Sequence, residues 1–347
     1  MPVVYNLAIW IIDMNYIGSK YTLLPFITTA VENVVGKDLS DKVFCDLFAG
    51  TGIVGRSFKP KVRKIISNDI EYYSYVLNRN YIGNNKQLDS QYDLVEELNA
   101  LSGIETGFIY KNYCLGGGNG RQYFSDENGR RIDAIRQQIE AWKKSSTISE
   151  DMYFFLLASL IESSDKVANT ASVYGAFLKR LKTTAQKKLS FTPSIYTLDM
   201  NEHEVYCQDA NSLIKETQGD ILYLDPPYNS RQYGANYHML NTIAEYDSFV
   251  PKGKTGLREY VRSPYCSKRT VLESFDSLIR EANYNFIFLS YNNEGLMSMK
   301  EIETVMSRYG HYDVISQDHH RFRADKKENR NHKSDKTIEY LHILEKI

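Results

Sequence analysis

The chain has 347 residues, 42% of them hydrophobic and 24% charged, with a formal net charge of -1. That length holds one large domain or a core domain with a smaller lobe, the composition excludes a disordered chain, and the balanced charge means that any nucleic-acid-binding face must be local. Four scattered cysteines, Cys45, Cys114, Cys207 and Cys266, form no Cys-x-x-Cys pair, which argues against structural zinc or a disulfide framework and fits a reducing cytoplasm.

In chain order, residues 7–12 are an apolar run too short to cross a bilayer, with no cationic segment before it, so a core strand or helix is expected there. Gly18 and Ser19 open a predicted helix whose apolar face is Leu23, Leu24, Phe26, Ile27, Ala30 and Val31. Lys20, near its first turn, opposes the helix dipole and is either a solvated surface lysine or paired with an anion. Val43 to Asp46 reads as a strand running into the turn Phe48-Ala49-Gly50-Thr51-Gly52. The two glycines let a ligand approach the backbone closely, although the full dinucleotide fingerprint is missing. A second strand, from Lys64 onward, ends at Asp69, about 20 residues past that turn, where an acid accepts ribose hydroxyls in nucleoside-binding α/β folds. Glu71 is the adjacent alternative.

Between residues 83 and 199 the character changes. A Gly-rich loop at 115–121 leads to Asp126, a candidate helix cap, and Ile132, Ile135, Ile139 and Trp142 then recur at helical spacing. A second, largely apolar helix is expected over 151–165 and should be buried. Arg121, Arg130, Arg131 and Arg136, and later Lys179, Arg180, Lys182, Lys187 and Lys188, either neutralise phosphates or form a solvated face. The stretch 162–179, with Val173-Tyr174-Gly175-Ala176-Phe177, reads as a turn beside a ligand site or a nucleic acid.

Strand character returns at Val205 and ends at Asp209, whose local reading is the cap of a short helix through Asn211 and Leu213. Ile221-Leu222-Tyr223-Leu224 is a buried strand stopped by Pro226 and Pro227, which lack the N–H that a sheet ladder needs. This leaves the Asp225 carboxylate, exposed carbonyls and the Tyr228 ring at the carboxyl end of a strand, where open α/β sheets hold ligands. Such a corner suits a flat, amino-bearing ring. The following Asn229-Ser230-Arg231-Gln232-Tyr233 adds amides, an aromatic ring and an arginine, while His238 reads as structural. Lys252, Lys254, Arg258, Arg262, Lys268 and Arg269, interleaved with Tyr260 and Tyr265, form a basic loop region. After another buried strand at 285–292, residues 319–336 include Arg321 and Arg323 and carry seven Lys or Arg against three acids. Residues 338–344 alternate as a strand does, which places that basic loop on a closing hairpin.

Asp225-Pro226-Pro227-Tyr228, with the Phe-x-Gly-x-Gly turn before it, resembles the DNA adenine-N6 methyltransferases of the alpha, Dam-type group. The Asn229 to Tyr233 extension resembles the modification enzymes of restriction systems. The matching motifs lie within residues 15–81 and 205–292. The resemblance implies a Rossmann-like, S-adenosylmethionine-dependent α/β fold, with 1–82 and 200–347 as the catalytic domain. Residues 83–199 are then an inserted, mainly helical target-recognition region. It also implies that S-adenosyl-L-methionine is held by Tyr16, Lys20, Asp46, Phe48, Gly50, Gly52, Asp69 and Asp209, the last at the cofactor's adenine amino group.

For catalysis it implies that Asp225 and the Pro226 carbonyl grip the amino hydrogens of a flipped adenine, Pro227 stiffens the loop and Tyr228 stacks on the base, without a metal. Double-stranded DNA is the implied substrate, contacted by Arg121, Arg231, Tyr233, Lys254, Arg262, Lys268, Arg321 and Arg323. A cognate restriction endonuclease acting on the same site is the implied partner of a monomer or weak dimer in a prokaryotic cytoplasm or encoded by a phage. The competing readings are an RNA adenine methyltransferase and a catalytically idle DNA-binding protein on the same scaffold. The latter could have lost any of Lys20, Asp69, Asp209, Asp225 or Tyr228, and all are present. Enzymes acting on protein glutamine favour Asn over Asp at the first motif position, so Asp225 weighs toward adenine.

Overall fold

Seven strands form one sheet among the described residues. They are β1 (Val43–Asp46), β2 (Lys64–Asn68), β3 (Glu204–Tyr206), β4 (Gln218–Leu224), β5 (Asn283–Asn292), β6 (Gly310–His320) and β7 (Lys336–Lys346), in the order β3-β2-β1-β4-β5-β7-β6. The central ones, β1 and β4, are built on apolar runs that give way to a carboxylate at Asp46 and Asp225. The structure, a computed structural model, describes residues 20–320 and 336–347. Tyr16, Gly18, Ser19, the apolar run at 7–12, Arg321 and Arg323 lie outside them. β1 to β5 are mutually parallel, and β7 inserts antiparallel between β5 and β6. The expected closing hairpin is therefore β6–β7.

Both faces of the parallel strands are covered, which is why β1 and β4 read as nearly continuous apolar runs. Alternate residues serve opposite cores. Phe44, Ile221 and Tyr223 join one cluster, whereas Val43, Cys45, Leu222 and Leu224 join the other. The first cluster is built with α1 (Leu24–Val35), α2 (Ile53–Phe58), α3 (Tyr72–Asn78), α4 (Gln91–Ala100), α5 (Phe108–Tyr113), α6 (Asp126–Lys144) and α7 (Glu150–Lys166). The chain then adds α8 (Ala210–Leu213), α9 (Tyr233–Asn236), α10 (His238–Glu245), α11 (Val271–Glu281) and α12 (Met299–Met306). α10 packs in the first cluster, and α8, α11 and α12 pack in the second. Among the described residues no helix is long and apolar enough to cross a membrane.

The helices of the 83–199 segment share one continuous core with β1 and β4. Ser125, not the expected Asp126, caps α6, accepting from Asn128 N at 3.2 Å, while Asp126 Oδ1 accepts from Gly116 N at 3.0 Å. The difference is one of backbone: Ser125 is extended and Asp126 already helical. Arg131 and Arg136, read as candidate phosphate ligands, point inward. Arg131 donates to Leu101 O, and Arg136 donates to the carbonyls of Ile243 and Ala244 at 3.1 and 3.0 Å. They tie loop and helix ends that the core would otherwise bury unpaired.

Strand order reverses between β1 and β4, whose register pairs Asp46 with Tyr223. The carboxyl ends of these two strands thus open a crevice at the switch point, the place where doubly wound sheets bind ligands.

Candidate active site

The floor of the crevice is the glycine turn after β1. Gly50 and Gly52 adopt φ of 53° and 74°, left-handed values that a side chain disfavours. Gly52 has a second reason to be glycine, since a Cβ there would lie 2.3 Å from Asn78 Oδ1. Two acids brace the turn from beneath. Asp46 Oδ2 accepts from Gly55 N at 2.9 Å, and Asp69 accepts from Gly50 N at 2.8 Å and Glu71 N at 2.9 Å. Asn78 Nδ2 donates to Gly50 O at 3.1 Å, and Ser74 Oγ donates to the same carbonyl. Asn68 knits the strand ends together, donating to Leu47 O and Gln208 O, both at 3.1 Å. Asn68, Ser74 and Asn78 were not singled out from sequence. Only their burial at strand and helix ends marks them.

Above this floor an open cleft is lined by Asp46, Phe48, Gly50, Asp69, Glu71 and Asp209, and also by Lys20, Asp225, Pro227 and Tyr233. Burial pushes the Asp46 carboxyl up to about 7, against the pull of the Gly55 N–H. It likewise raises Asp69, and raises Glu71 to about 7 with help from the Asp69 charge. Glu71 Oε2 accepts from Asn241 Nδ2 at 2.6 Å. Asp209 lines the cleft and caps α8, its Oδ1 accepting from Ser212 N at 3.0 Å.

The corner after β4 faces this cleft. Asp225 meets Lys20, with Lys20 Nζ 2.8 Å from Asp225 Oδ1 and 3.5 Å from Glu339 Oε1. Lys20 is 4% exposed, so the solvated reading fails. It precedes a 3-10 turn ahead of α1 and does not lie inside that helix. Burial alone would draw a proton off this ammonium, but the charges of Asp225 and Glu339 outweigh it and hold the pKa well above the lysine value. Burial also lifts Asp225 to about 6, with Lys20 opposing and Glu339 adding. The ammonium sits 5.8 Å from the Tyr228 ring centre, and that ring packs edge-on against Tyr291.

Residues 16–305 match the family described as D12 class N6 adenine-specific DNA methyltransferase. The chain belongs to that family. It is 62% identical to the Type II methyltransferase M.NlaIII of Neisseria lactamica over 96% of this chain and 99% of that protein. It is 38% identical to M.CviAII of Paramecium bursaria Chlorella virus 1, over 90% and 93% of the two chains. M.FokI of Planomicrobium okeanokoites is 43% identical over 86% of this chain, which spans only 47% of that longer protein. This D12-class enzyme therefore methylates DNA adenine at N6, and its seven-stranded sheet is that of a methyltransferase.

The adenine methyltransferase presents its basic residues unevenly. Arg231, Lys254 and Arg262 are exposed, and Arg262 lines the cleft. Tyr233 is half-buried, stacks with Tyr237 at 6.0 Å and also lines the cleft. Lys268 is exposed but its ammonium bonds Leu296 O at 2.7 Å and Glu301 at 3.2 Å. Arg121, expected to touch DNA, turns inward. Its guanidinium donates to the carbonyls of Lys254, Asn112 and Gly253 at 3.2, 3.1 and 3.0 Å and is 9% exposed. Arg258 is buried too, paired with Glu245 and Asp247. Sequence alone could not separate these from solvent-facing arginines, because their acceptors are mostly loop carbonyls. His238 is buried against Tyr174 O and Tyr123 as a structural residue.

Proposed function

We propose that the chain transfers the methyl group of S-adenosyl-L-methionine to the exocyclic nitrogen of an adenine flipped out of duplex DNA, as the modification enzyme of a restriction–modification system. The observation that carries this reading is the Asp225 carboxylate, paired with Lys20 at the mouth of a crevice whose floor is a glycine turn. Names of similar proteins, M.NlaIII and M.FokI among them as Type II methyltransferases, support the restriction-linked role.

The lining fits this donor. Phe48, Ile70, Ala210 and Tyr265 offer apolar walls for a purine, Asp69 with Glu71 offers acceptors for ribose hydroxyls, and Asp209 offers one for an amino group. The bare backbone of Gly50 allows close approach, while the bare backbone of Gly52 makes room for Asn78. When bound, S-adenosylmethionine supplies a methyl group already activated by its sulfonium.

The protein's part is to hold and orient the acceptor. An adenine amino nitrogen is a poor nucleophile because its lone pair is delocalised into the ring. Asp225 Oδ and the Pro226 carbonyl accept the two amino hydrogens, drawing the nitrogen toward tetrahedral geometry. Tyr228 stacks on the flipped base and Pro227 stiffens the turn. Tyr233 and Arg262, which line the cleft, and exposed Arg231 and Lys254 serve as DNA contacts, and exposed Lys179, Arg180, Lys187 and Lys188 add cations on the 83–199 segment, which we assign to target recognition.

The test is expression of the enzyme and of Asp225→Ala in a host without adenine methylation, followed by sequencing of modified bases. Methylated adenines within one short motif are expected from the parent and none from the variant. Soluble parent enzyme that leaves the genome unmodified overturns the reading, and methylation confined to RNA overturns its substrate. Calorimetry with S-adenosylmethionine checks the donor separately. Protection of the modified genome from a cognate endonuclease checks the restriction link.

A further inference from the structure

Glu339 is a buried carboxylate for which the mechanism above has no use. It lies on β7, 6% exposed, with its Oε1 3.5 Å from Lys20 Nζ. The same oxygen accepts from Ser290 Oγ at 2.7 Å. The antiparallel register pairs Ser290 of β5 with Leu341, so Glu339, two residues along β7, shares the face of Ser290 one diagonal step away. Strand pairing and a hydrogen bond thus fix the acid at the place where Lys20 enters the sheet edge.

One ammonium is therefore shared by two acids. The charged and titratable groups facing Asp225 are Lys20, Glu339, Asp46 and the phenols of Tyr223, Tyr228 and Tyr233. With Lys20 protonated and Asp225 and Glu339 ionised, this triad carries one net negative charge. If Lys20 faced Asp225 alone, the two would close into a neutral pair and spend the acceptor strength that the amino hydrogens need. Leaving both acids without the lysine would bury unpaired charge.

We propose that Glu339 is a positioning residue that draws Lys20 partly off Asp225 and so keeps the Asp225 carboxylate free to grip the substrate's amino group. Substrate entry then shifts the ammonium toward Glu339 without exposing it to water. Ser290 keeps Glu339 in line for that exchange. The inference rests on the reading of Asp225 as the amino-group acceptor.

Glu339→Gln tests it, because the amide oxygen can still accept from Ser290 while the charge is gone. The plateau kcat above about pH 8 is expected to fall about tenfold, with KM for S-adenosylmethionine changed by less than about threefold. The acid limb of kcat should move to lower pH, since the Glu339 charge is one cause of the raised Asp225 value. Without any methyl donor, a duplex carrying adenine at the target position should bind about tenfold more weakly. Ser290→Ala leaves the charge but loosens its hold, so a smaller loss, about threefold, with an unmoved acid limb is expected, which keeps the test available if Glu339→Gln fails to fold.

Parental plateau kcat and duplex binding in Glu339→Gln overturn the proposal. So does a lowered kcat with an unmoved acid limb and a lowered melting temperature, which is the signature of a structural acid. Failure of the parent enzyme itself to make N6-methyladenine strikes the underlying reading instead, and the two failures are distinguished in one assay set.

Discussion

Lys20 Nζ and Asp225 Oδ1 stand 2.8 Å apart although 204 residues separate them in the chain. The contact joins the approach to α1 with the corner after β4, and it places a permanent cation on the carboxylate assigned to the substrate.

Replacing Lys20 with Met should therefore harm activity in a pH-dependent way. Lys20 lowers the Asp225 pKa from the level that burial would set, so its removal lifts the value above about 6. Turnover at neutral pH should fall about 100-fold and recover in part as pH rises. Stability should move the opposite way. A carboxyl whose folded pKa exceeds its unfolded one binds protons preferentially when folded, so stability declines as pH climbs from the unfolded value to the folded one. A loss of about 3 kcal/mol above that window is expected from the unpaired buried acids. A kcat profile and melting curves across pH check both signs.

Gly52→Ala should cripple the crevice floor. Its φ of 74° costs an alanine about 1–2 kcal/mol, and the new methyl would press on Asn78 Oδ1 at 2.3 Å. Because Asn78 also holds Gly50 O, the strain passes to the turn. Calorimetry should find donor affinity lost even where thermal melting shows the fold kept.

The Tyr228 ring is expected to act through its face. Tyr228→Phe should stay within about threefold of the parent enzyme, whereas Tyr228→Ala should lose tenfold or more, the order of one stacked base. Steady-state kinetics on a duplex substrate distinguish them. Equal losses would argue against stacking.

Arg121 and Arg262 should part company in a salt titration. Arg262→Ala removes an exposed cation at the cleft and should reduce the slope of log K against log salt by about one. Arg121→Ala breaks three bonds to backbone carbonyls. It should lower the melting temperature and leave that slope nearly unchanged.

Glu339 shows how a functional acid can be overlooked. A charged residue in an alternating strand is ordinarily assigned to the wet face, yet Glu339 shares its parity with Leu341 and Ile343, both buried. That misplaced charge in the apolar phase was the one signal available. Lys20 is the converse: opposing the helix dipole implied an anion, but nothing local could say which.

The sequence by itself determined the strands that lead to Asp46, Asp69, Asp209 and Asp225, the glycine turn between the first two and the proline stop after β4. These follow from short-range rules, namely apolar runs, φ preferences and a missing N–H, which act within a few residues. Tertiary structure alone decided which charges meet. It drove Arg121, Arg131 and Arg136 onto carbonyls and Lys20 between two acids, because a buried charge must find its partner wherever the fold brings one, and that partner can lie hundreds of residues away.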